Sequence, residues 1–137
     1  MNKLVEQLKI HEGIKLNLYL CSAKKRSIGI GRNLDDIGIS EDEAEYLLKN
    51  DIAEATKQLL NAFPWMSKFN DARISAMINF TFNVGIGTVR KFSNTIEYLK
   101  NEDWEAAADE MMDSKWAEQV GDRAIQITEQ IRTGRWL

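Results

Sequence analysis

The sequence is poor in the residue types that form disulfides, metal clusters and chain breaks. Its 137 residues include one cysteine, one histidine and one proline. A single cysteine excludes an internal disulfide, and one cysteine with one histidine cannot build a Cys/His metal cluster. We therefore expect neither a metal site nor a cofactor in this chain.

Long apolar runs and a strong excess of one charge are also missing. No apolar stretch approaches the roughly 20 residues of a membrane span, and the opening MNKLVEQLKIHEG carries charges where a signal peptide is apolar. The net charge of −3 gives no general attraction for nucleic acid. Basic residues do cluster at 24–26 and recur at 32, 132 and 135, and we interpret them as a solvated surface.

The composition is that of a globular protein. Hydrophobic residues make up 44% and charged residues 28%, which suits one folded domain. Apolar spacing predicts a short helix over residues 2–12. Ser40 and Glu43 form a capping box at the start of a long helix that Pro64 ends. Strand character is convincing only within residues 14–31, where apolar and polar residues alternate.

The rest of the sequence is predicted to be helical. Residues 71–84 are apolar on nearly every side, as expected of a central buried helix, and VGIGT at 84–88 is predicted to be a turn. Further helices are predicted at about 94–101, 103–113 and 122–132. The predicted class is α+β, mainly α, with one small β-element near the N-terminus.

One stretch, HEGIKLNLYLCSAKKRSIGIGRN at residues 11–33, gathers most of the chemically versatile groups. We predict a hairpin with a five-residue turn over 22–26, which places Cys21 opposite Ser27, beside Gly29 and Gly31. Strand glycines often mark a close approach of a ligand or another backbone. The alternative is that the glycines serve packing and Cys21 is a small buried hydrophobe. This register also gathers five residues on one apolar face: Leu16, Leu18, Leu20, Ile28 and Ile30.

Glu12 is the candidate general acid of this stretch. It follows Leu4 and Leu8 at helical spacing, so its carboxylate is predicted to end the buried stripe, beside the turn into the hairpin. A partly buried carboxyl group there suits proton donation. The alternative is an exposed residue in a frayed last turn.

These residues resemble the phage-type lysozyme family, which is glycoside hydrolase family 24 and includes the endolysins. The family motif runs from a glutamate through eight residues to an aspartate or sometimes a cysteine, then through five residues to a threonine. Glu12, Cys21 and Ser27 match it. The resemblance continues in order along nearly the whole chain, in EDEAEYLL, INFTFNVG, KFSNTIEYL, DWEAAA, SKW and DRAIQITEQIRTGRW.

The resemblance implies a single two-lobe lysozyme-like domain. The hairpin lobe would span residues 13–40, the interlobe helix 41–63, and the helical lobe 64–137 together with 1–12. It also implies muramidase activity, which cleaves the β-1,4 bond between N-acetylmuramic acid and N-acetylglucosamine in peptidoglycan.

The resemblance further implies roles for individual residues. Glu12 corresponds to the catalytic acid, Cys21 and Ser27 to the partners that position or activate water, and Arg123 to an arginine that pairs with the glutamate. Four residues fall where saccharide contacts lie: Asn33, Phe82, Thr95 and Glu110.

Two departures from the family pattern leave other functions open. Cysteine replaces the commoner aspartate and serine replaces threonine, so the matched site has one carboxyl group where glycosidases normally use two. Asp35 and Asp36 could supply the second, or they could be turn residues. The alternatives are a saccharide-binding homologue without hydrolysis and a lytic transglycosylase.

The expected partner is the glycan strand of peptidoglycan, bound by a monomer. Because the chain shows no export signal, we expect it to be made in the host cytoplasm. It would then reach the periplasmic wall after membrane permeabilisation, through a holin-type pore.

Overall fold

The structure, a computed structural model, describes residues 2–137. Helix α1 (Asn2–Glu12) precedes an antiparallel sheet of β1 (Lys15–Leu20), β2 (Arg26–Gly29) and β3 (Arg32–Asn33), in the order β1-β2-β3. The predicted α+β, mainly α class is confirmed. The remaining elements are helical: α2 (Glu41–Ala62), a 3-10 helix (Pro64–Lys68), α3 (Asp71–Val84), α4 (Ile86–Lys91), α5 (Ser93–Lys100), α6 (Trp104–Met112), α7 (Lys115–Val120) and α8 (Asp122–Thr133).

The chain divides into two compact units between Leu47 and Leu48, within α2. We call the part up to Leu47 the N-terminal unit and Leu48–Leu137 the C-terminal unit. The lobe boundaries predicted from the sequence, including the assignment of residues 1–12 to the helical lobe, remain predictions.

Helix α2 begins at the predicted capping box. The Ser40 backbone N–H donates to Glu43 Oε1 (2.9 Å), and the Glu43 N–H donates to Ser40 Oγ (3.1 Å). This reciprocal pair satisfies two N–H groups that the first turn of a helix leaves free. The helix ends at Ala62, two residues before Pro64, as predicted.

The hydrophobic core belongs to the C-terminal unit. Helix α3 supplies Phe80, which is fully buried and meets Phe92 and Trp116 edge-on at ring-centroid distances of 5.0 and 4.7 Å. Residues 71–84 are therefore the central buried helix that their composition predicts. Other fully buried members of this core include Leu59, Met66, Met77, Val89, Met111, Ile127 and Ile131.

Five hydrogen bonds join the end of α8 and the residues after it to the start of α3, one of them from Gln130 Nε2 to the Ala72 carbonyl (3.1 Å). Arg73 donates from Nε to the Ile131 carbonyl (2.7 Å) and from Nη2 to the Arg132 carbonyl (3.2 Å). Asn70 Nδ2 donates to the Gly134 carbonyl (2.9 Å), and Trp136 Nε1 donates to the Asp71 carboxylate (3.0 Å). We call these contacts the α3–α8 clasp, and three of them satisfy carbonyls at or just after the C-terminal end of α8.

The helix predictions for the second half need one correction. The helices predicted at 94–101, 103–113 and 122–132 are present within a residue or two. The turn predicted over 84–88 is wrong, because α4 already begins at Ile86. The break between α3 and α4 is the single residue Gly85, which has φ +83°. Helix α7 and the 3-10 helix have six and five residues, too few for an apolar period to show.

The predicted hairpin register is also wrong. Tyr19 pairs with Ser27 and Leu20 with Arg26, so Cys21 does not face Ser27. The turn is shorter than predicted: the Lys24 N–H donates to the Cys21 carbonyl (2.8 Å), and the Cys21 N–H donates to the Lys25 carbonyl (2.9 Å). Lys24 adopts the left-handed conformation, φ +61°, which three-residue hairpin loops use at this position.

The apolar residues of β1 are not buried as the alternating pattern suggests. The exposed fractions of Leu16, Leu18 and Leu20 are 82%, 57% and 66%. Ser27 on β2 is 2% exposed, so the buried side chain of this sheet is a hydroxyl. The register also shifts between Lys15 and Tyr19, which interrupts the simple alternation of faces.

Candidate active site

The N-terminal unit contains the three candidate catalytic residues. Glu12 is the last residue of α1, and the Gly13 N–H closes that helix on the Lys9 carbonyl (2.9 Å). The expected partial burial of Glu12 is not observed: no residue of α1 is buried, and Leu4 and Leu8 are 46% and 42% exposed. The carboxylate is exposed at the helix end.

The Glu12 carboxylate nevertheless has a fixed neighbour. It lies against Gly31, in the turn between β2 and β3. A Cβ atom placed on Gly31 would be 2.8 Å from Glu12 Oε2 and 2.9 Å from its Cδ. Sequence reasoning expected a ligand or another backbone to approach a strand glycine; here Gly31 lies in a turn and the approaching group is the Glu12 side chain.

Cys21 begins the β1–β2 turn and is half-buried. The backbone N–H groups of Lys25 and Ala23 lower the pKa of its thiol below the ordinary value, and the Ser27 hydroxyl lowers it further. Burial acts in the opposite direction and is outweighed. Amide and hydroxyl donors stabilise the anion over the neutral thiol, so the thiolate forms at a lower pH than that of a free cysteine.

Ser27 lies two residues from Lys25 on β2 and is almost fully buried. Its Oγ lies 3.2 Å from the Lys25 carbonyl, and its one proton donates either to that carbonyl or to the Cys21 sulfur. Although Cys21 and Ser27 are not directly paired, they are diagonal neighbours across the hairpin, which is within side-chain reach. The structure brings these two candidates together despite the change in register.

Asp35 and Asp36 are engaged in ion pairs and turn contacts. The Arg26 guanidinium donates to Asp35 Oδ1 from Nε (2.9 Å) and from Nη2 (2.7 Å), and the Arg26 backbone N–H donates to Asp35 Oδ2 (2.7 Å). Arg26 thereby lowers the pKa of Asp35. Asp36 lies 3.4 Å from Lys25 Nζ and accepts from Asn33 Nδ2 at 2.9 Å, while Asn33 Oδ1 accepts the Asp36 N–H. These contacts favour the turn interpretation of both aspartates.

Arg32 and Glu43 join the end of the sheet to the start of α2. Arg32 donates from Nη1 and Nη2 to the two carboxylate oxygens of Glu43 (2.8 and 2.7 Å), and from Nη1 to the Gly38 carbonyl (3.0 Å). The Arg32 guanidinium, with the Ser40 N–H, lowers the pKa of Glu43 to about 2.

In the C-terminal unit, Arg123 and Phe82 line one cavity of about 390 Å³. Arg123 donates from Nε (3.1 Å) and Nη2 (2.8 Å) to Asn79 Oδ1. Phe82 is 45% exposed, and the cavity wall is mainly apolar, with Ile78 and Trp136 among its members. The predicted pairing of Arg123 with Glu12 joins residues of different units and stays a prediction.

Thr95 and Glu110 line a second, smaller cavity of about 200 Å³. Glu110 Oε1 accepts from Asn94 Nδ2 (3.2 Å). Thr95 is 1% exposed, and within residues 2–137 its Oγ1 has no hydrogen-bond partner. A buried hydroxyl without a partner is rare in native structures.

Sequence reasoning missed two features of the site. The contact of Gly31 with Glu12 joins residues far apart along the chain, although the Gly-x-Gly pair signals that something approaches there. The N–H donors of Lys25 and Ala23 toward Cys21 depend on the turn type, which sequence reasoning assigned incorrectly. Among residues 2–137, no three His, Cys, Asp or Glu side chains converge as metal ligands would.

Comparison with known proteins supports the same class. A family model for phage lysozyme matches residues 9–132. A probable T4-type lysozyme 1 of Dictyostelium discoideum is 27% identical over 98% of this chain and 96% of its own length. An endolysin of Bacillus phage B103 is 30% identical over 85% of this chain and 45% of its own length. An endolysin of Acyrthosiphon pisum secondary endosymbiont phage 1 is 31% identical over 80% of this chain and 74% of its own length.

The fold and these matches define a glycoside hydrolase that acts on peptidoglycan. The chain belongs to the phage lysozyme family, whose model covers nearly all of it. No helix described between residues 2 and 137 combines the length and apolarity needed to span a membrane.

Proposed function

We propose that this chain is a muramidase that cleaves the β-1,4 bond between N-acetylmuramic acid and N-acetylglucosamine. Glu12 is the general acid, and Cys21 and Ser27 position the attacking water. The observation that carries the proposal is the match of residues 9–132, which include Glu12, Cys21 and Ser27, to the phage lysozyme family model. The lowered pKa of the Cys21 thiol supports it.

Each of the three residues has a role that suits its surroundings. The exposed Glu12 carboxyl group is open to a glycan and donates a proton to the departing glycosidic oxygen. Glycosidases of this type need a second anionic group that activates water or stabilises the developing positive charge on the sugar ring. The Cys21 thiolate takes that place, and the adjacent Ser27 hydroxyl orients the water by hydrogen bonding.

The remaining proposed residues bind the glycan or support the acid. Phe82 offers an exposed ring face to a sugar, and Glu110 and Thr95 line the smaller cavity proposed as a saccharide contact. Asn33 keeps one amide proton that its bond to Asp36 does not use. Arg123, which Asn79 orients, pairs with Glu12 in this proposal.

The proposal includes a biological setting. The chain acts as a monomer on peptidoglycan glycan strands. It is made in the host cytoplasm and reaches the periplasmic wall through a holin-type pore.

The replacement of a carboxylate by Cys21 favours one alternative, a saccharide-binding homologue that no longer hydrolyses. A lysis assay on permeabilised Gram-negative cells separates the two, since a binder leaves turbidity unchanged. Mass spectrometry of the released fragments then distinguishes hydrolysis, which adds one water, from transglycosylation, which leaves anhydro ends.

The decisive variant is Glu12→Gln, with Glu6→Gln on the same exposed helix as the matched control. The amide cannot donate a proton, so we expect a loss of roughly 10²–10⁴-fold in lysis rate for the first variant. The control variant should lyse cells at the rate of the unmodified chain. Equal lysis by both variants would exclude Glu12 as the acid.

A further inference from the structure

We propose that Gly31 is the positioning residue for Glu12. The space where any other residue would carry its Cβ is occupied by the Glu12 carboxylate, so the absence of a side chain at 31 sets the direction of the proposed acid. This inference rests on the general-acid role proposed above.

The contact joins two separate parts of the N-terminal unit. Glu12 ends α1, while Gly31 lies in the turn between β2 and β3 at φ +74°. A Cβ atom on Gly31 would lie 2.8, 2.9 and 3.0 Å from Oε2, Cδ and Cγ of Glu12, whereas real Cβ atoms essentially never approach closer than 3.0 Å. The glutamate therefore cannot keep its present position beside any side chain at 31.

The atoms in conflict belong to the flexible end of an exposed side chain. A methyl group at 31 would make the Glu12 carboxylate turn away, which costs the fold little because rotation about the side-chain bonds relieves the clash. The expected loss is in the rate of the reaction. Moving a catalytic group by about 1 Å can reduce the rate about 100-fold.

Gly29 supplies a matched control. It has the same φ of +74°, it lies two residues away, and a Cβ atom placed on it meets nothing within 4 Å. Alanine should destabilise the fold by a similar amount at either position, because L-residues are disfavoured in this backbone conformation. The two alanine variants therefore differ mainly in whether the new methyl group reaches Glu12.

The experiment compares Gly31→Ala, Gly29→Ala and Glu12→Gln for hydrolysis of soluble peptidoglycan fragments, with thermal unfolding measured on each. We expect Gly31→Ala to lower kcat by about 100-fold with little change in KM, and Gly29→Ala to leave kcat within a few-fold of the unmodified chain. The two glycine variants should show similar losses of Tm.

Two further measurements do not depend on catalysis. In the unmodified chain, NMR should show a nuclear Overhauser effect between the Glu12 side chain and the Gly31 Hα atoms. The Glu12 carboxyl ¹³C resonance should shift in Gly31→Ala and stay in place in Gly29→Ala. A missing Overhauser effect would overturn the inference even if the Gly31→Ala variant failed to fold.

The outcomes separate this inference from the proposed function. If Glu12→Gln is inactive and the two glycine variants have equal kcat, the positioning role is wrong and the general acid stands. If Glu12→Gln remains active, the general-acid proposal fails, and the positioning role fails with it. In a Glu12→Asp background, the shorter side chain should make the Gly31→Ala cost in kcat smaller than in the parent chain, and an undiminished cost would contradict a role through Glu12.

Discussion

The two units are stabilised by different interactions. The C-terminal unit packs a buried core of methionine, leucine, isoleucine and aromatic side chains around α3. In the described part of the N-terminal unit, residues 2–47, Ser27 is the one buried residue, and the sheet is tied by the pairs Arg26–Asp35 and Arg32–Glu43. The proposed catalytic groups therefore lie where charge and hydrogen bonding, more than core packing, hold the chain. Substitutions there should change activity more readily than stability.

Removing apolar bulk should have very unequal effects in the two units. Phe80→Ala deletes a fully buried ring and should lower the free energy of unfolding by about 3–5 kcal/mol. Leu18→Ala, at a residue that is 57% exposed in the N-terminal unit, should change it by no more than about 0.5 kcal/mol. Urea unfolding measures both. Similar losses for the two variants would contradict the distinction between the units.

Cys21 tests whether the N-terminal unit tolerates a change of chemistry. We expect Cys21→Ser to reduce lysis by up to roughly 100-fold, because serine does not ionise at working pH. Cys21→Asp should retain or raise activity. It should also remain active at lower pH than the unmodified chain, since a carboxyl group ionises well below a thiol. pH profiles of lysis for the three chains measure this.

The packing interpretation of Cys21 gives the opposite pattern. A cysteine that only fills space would make Cys21→Ser nearly harmless, and Cys21→Asp would destabilise the fold by burying an unpaired charge. Thermal unfolding of both variants, measured beside lysis, separates the two interpretations.

The reactivity of Cys21 should depend on the site. Its lowered pKa predicts that a small thiol reagent labels it faster than it labels a free cysteine at neutral pH. Bound chitooligosaccharide should slow the labelling, and the labelled protein should lose lysis. Fast labelling that ligand does not slow and that leaves lysis intact would remove Cys21 from the proposed site.

The Arg32–Glu43 pair should give the N-terminal unit a measurable acid sensitivity. The folded pKa of Glu43 is about 2, lowered from 4.5. The pair therefore contributes its full stability above pH 4.5 and loses it as the pH falls through about 2. We expect a small stability difference between the unmodified chain and Glu43→Gln at neutral pH, which shrinks over this window. Thermal unfolding between these pH values measures it, and Glu41→Gln in the same helical turn is the control.

Local signals in the sequence predict local structure well. The Ser40–Glu43 capping box joins residues three apart, so the geometry of one helical turn settles it. The proposed catalytic set of Glu12, Cys21 and Ser27 comes from a family motif whose spacing lies within one short stretch, and its role remains a proposal. What they contact is less predictable.

The hairpin shows why the contacts resist prediction. The alternation of apolar residues favours one register, but the type of turn determines which register forms. This turn needs a left-handed conformation at Lys24, and the sequence has no glycine there to indicate it. The approach of Glu12 to Gly31 depends on how α1 meets the sheet, which no local pattern encodes. Likewise, Leu16 and Leu20 are exposed because no other element of the described chain packs over them, and the local sequence does not encode which elements pack together.

The α3–α8 clasp has a consequence for the order of folding events. Its hydrogen bonds join residues 58 to 65 positions apart, so the chain must close a long loop before any of them can form. Contacts this distant along the chain slow the search for the native topology. Before residues 131–136 return to α3, the Arg73 guanidinium, which lies 4.1 Å from the Trp104 ring, has no carbonyls to bind. We therefore expect the transition state of the C-terminal unit to contain this closure, and substitutions at Asn70 or Arg73 to slow refolding more than they speed unfolding.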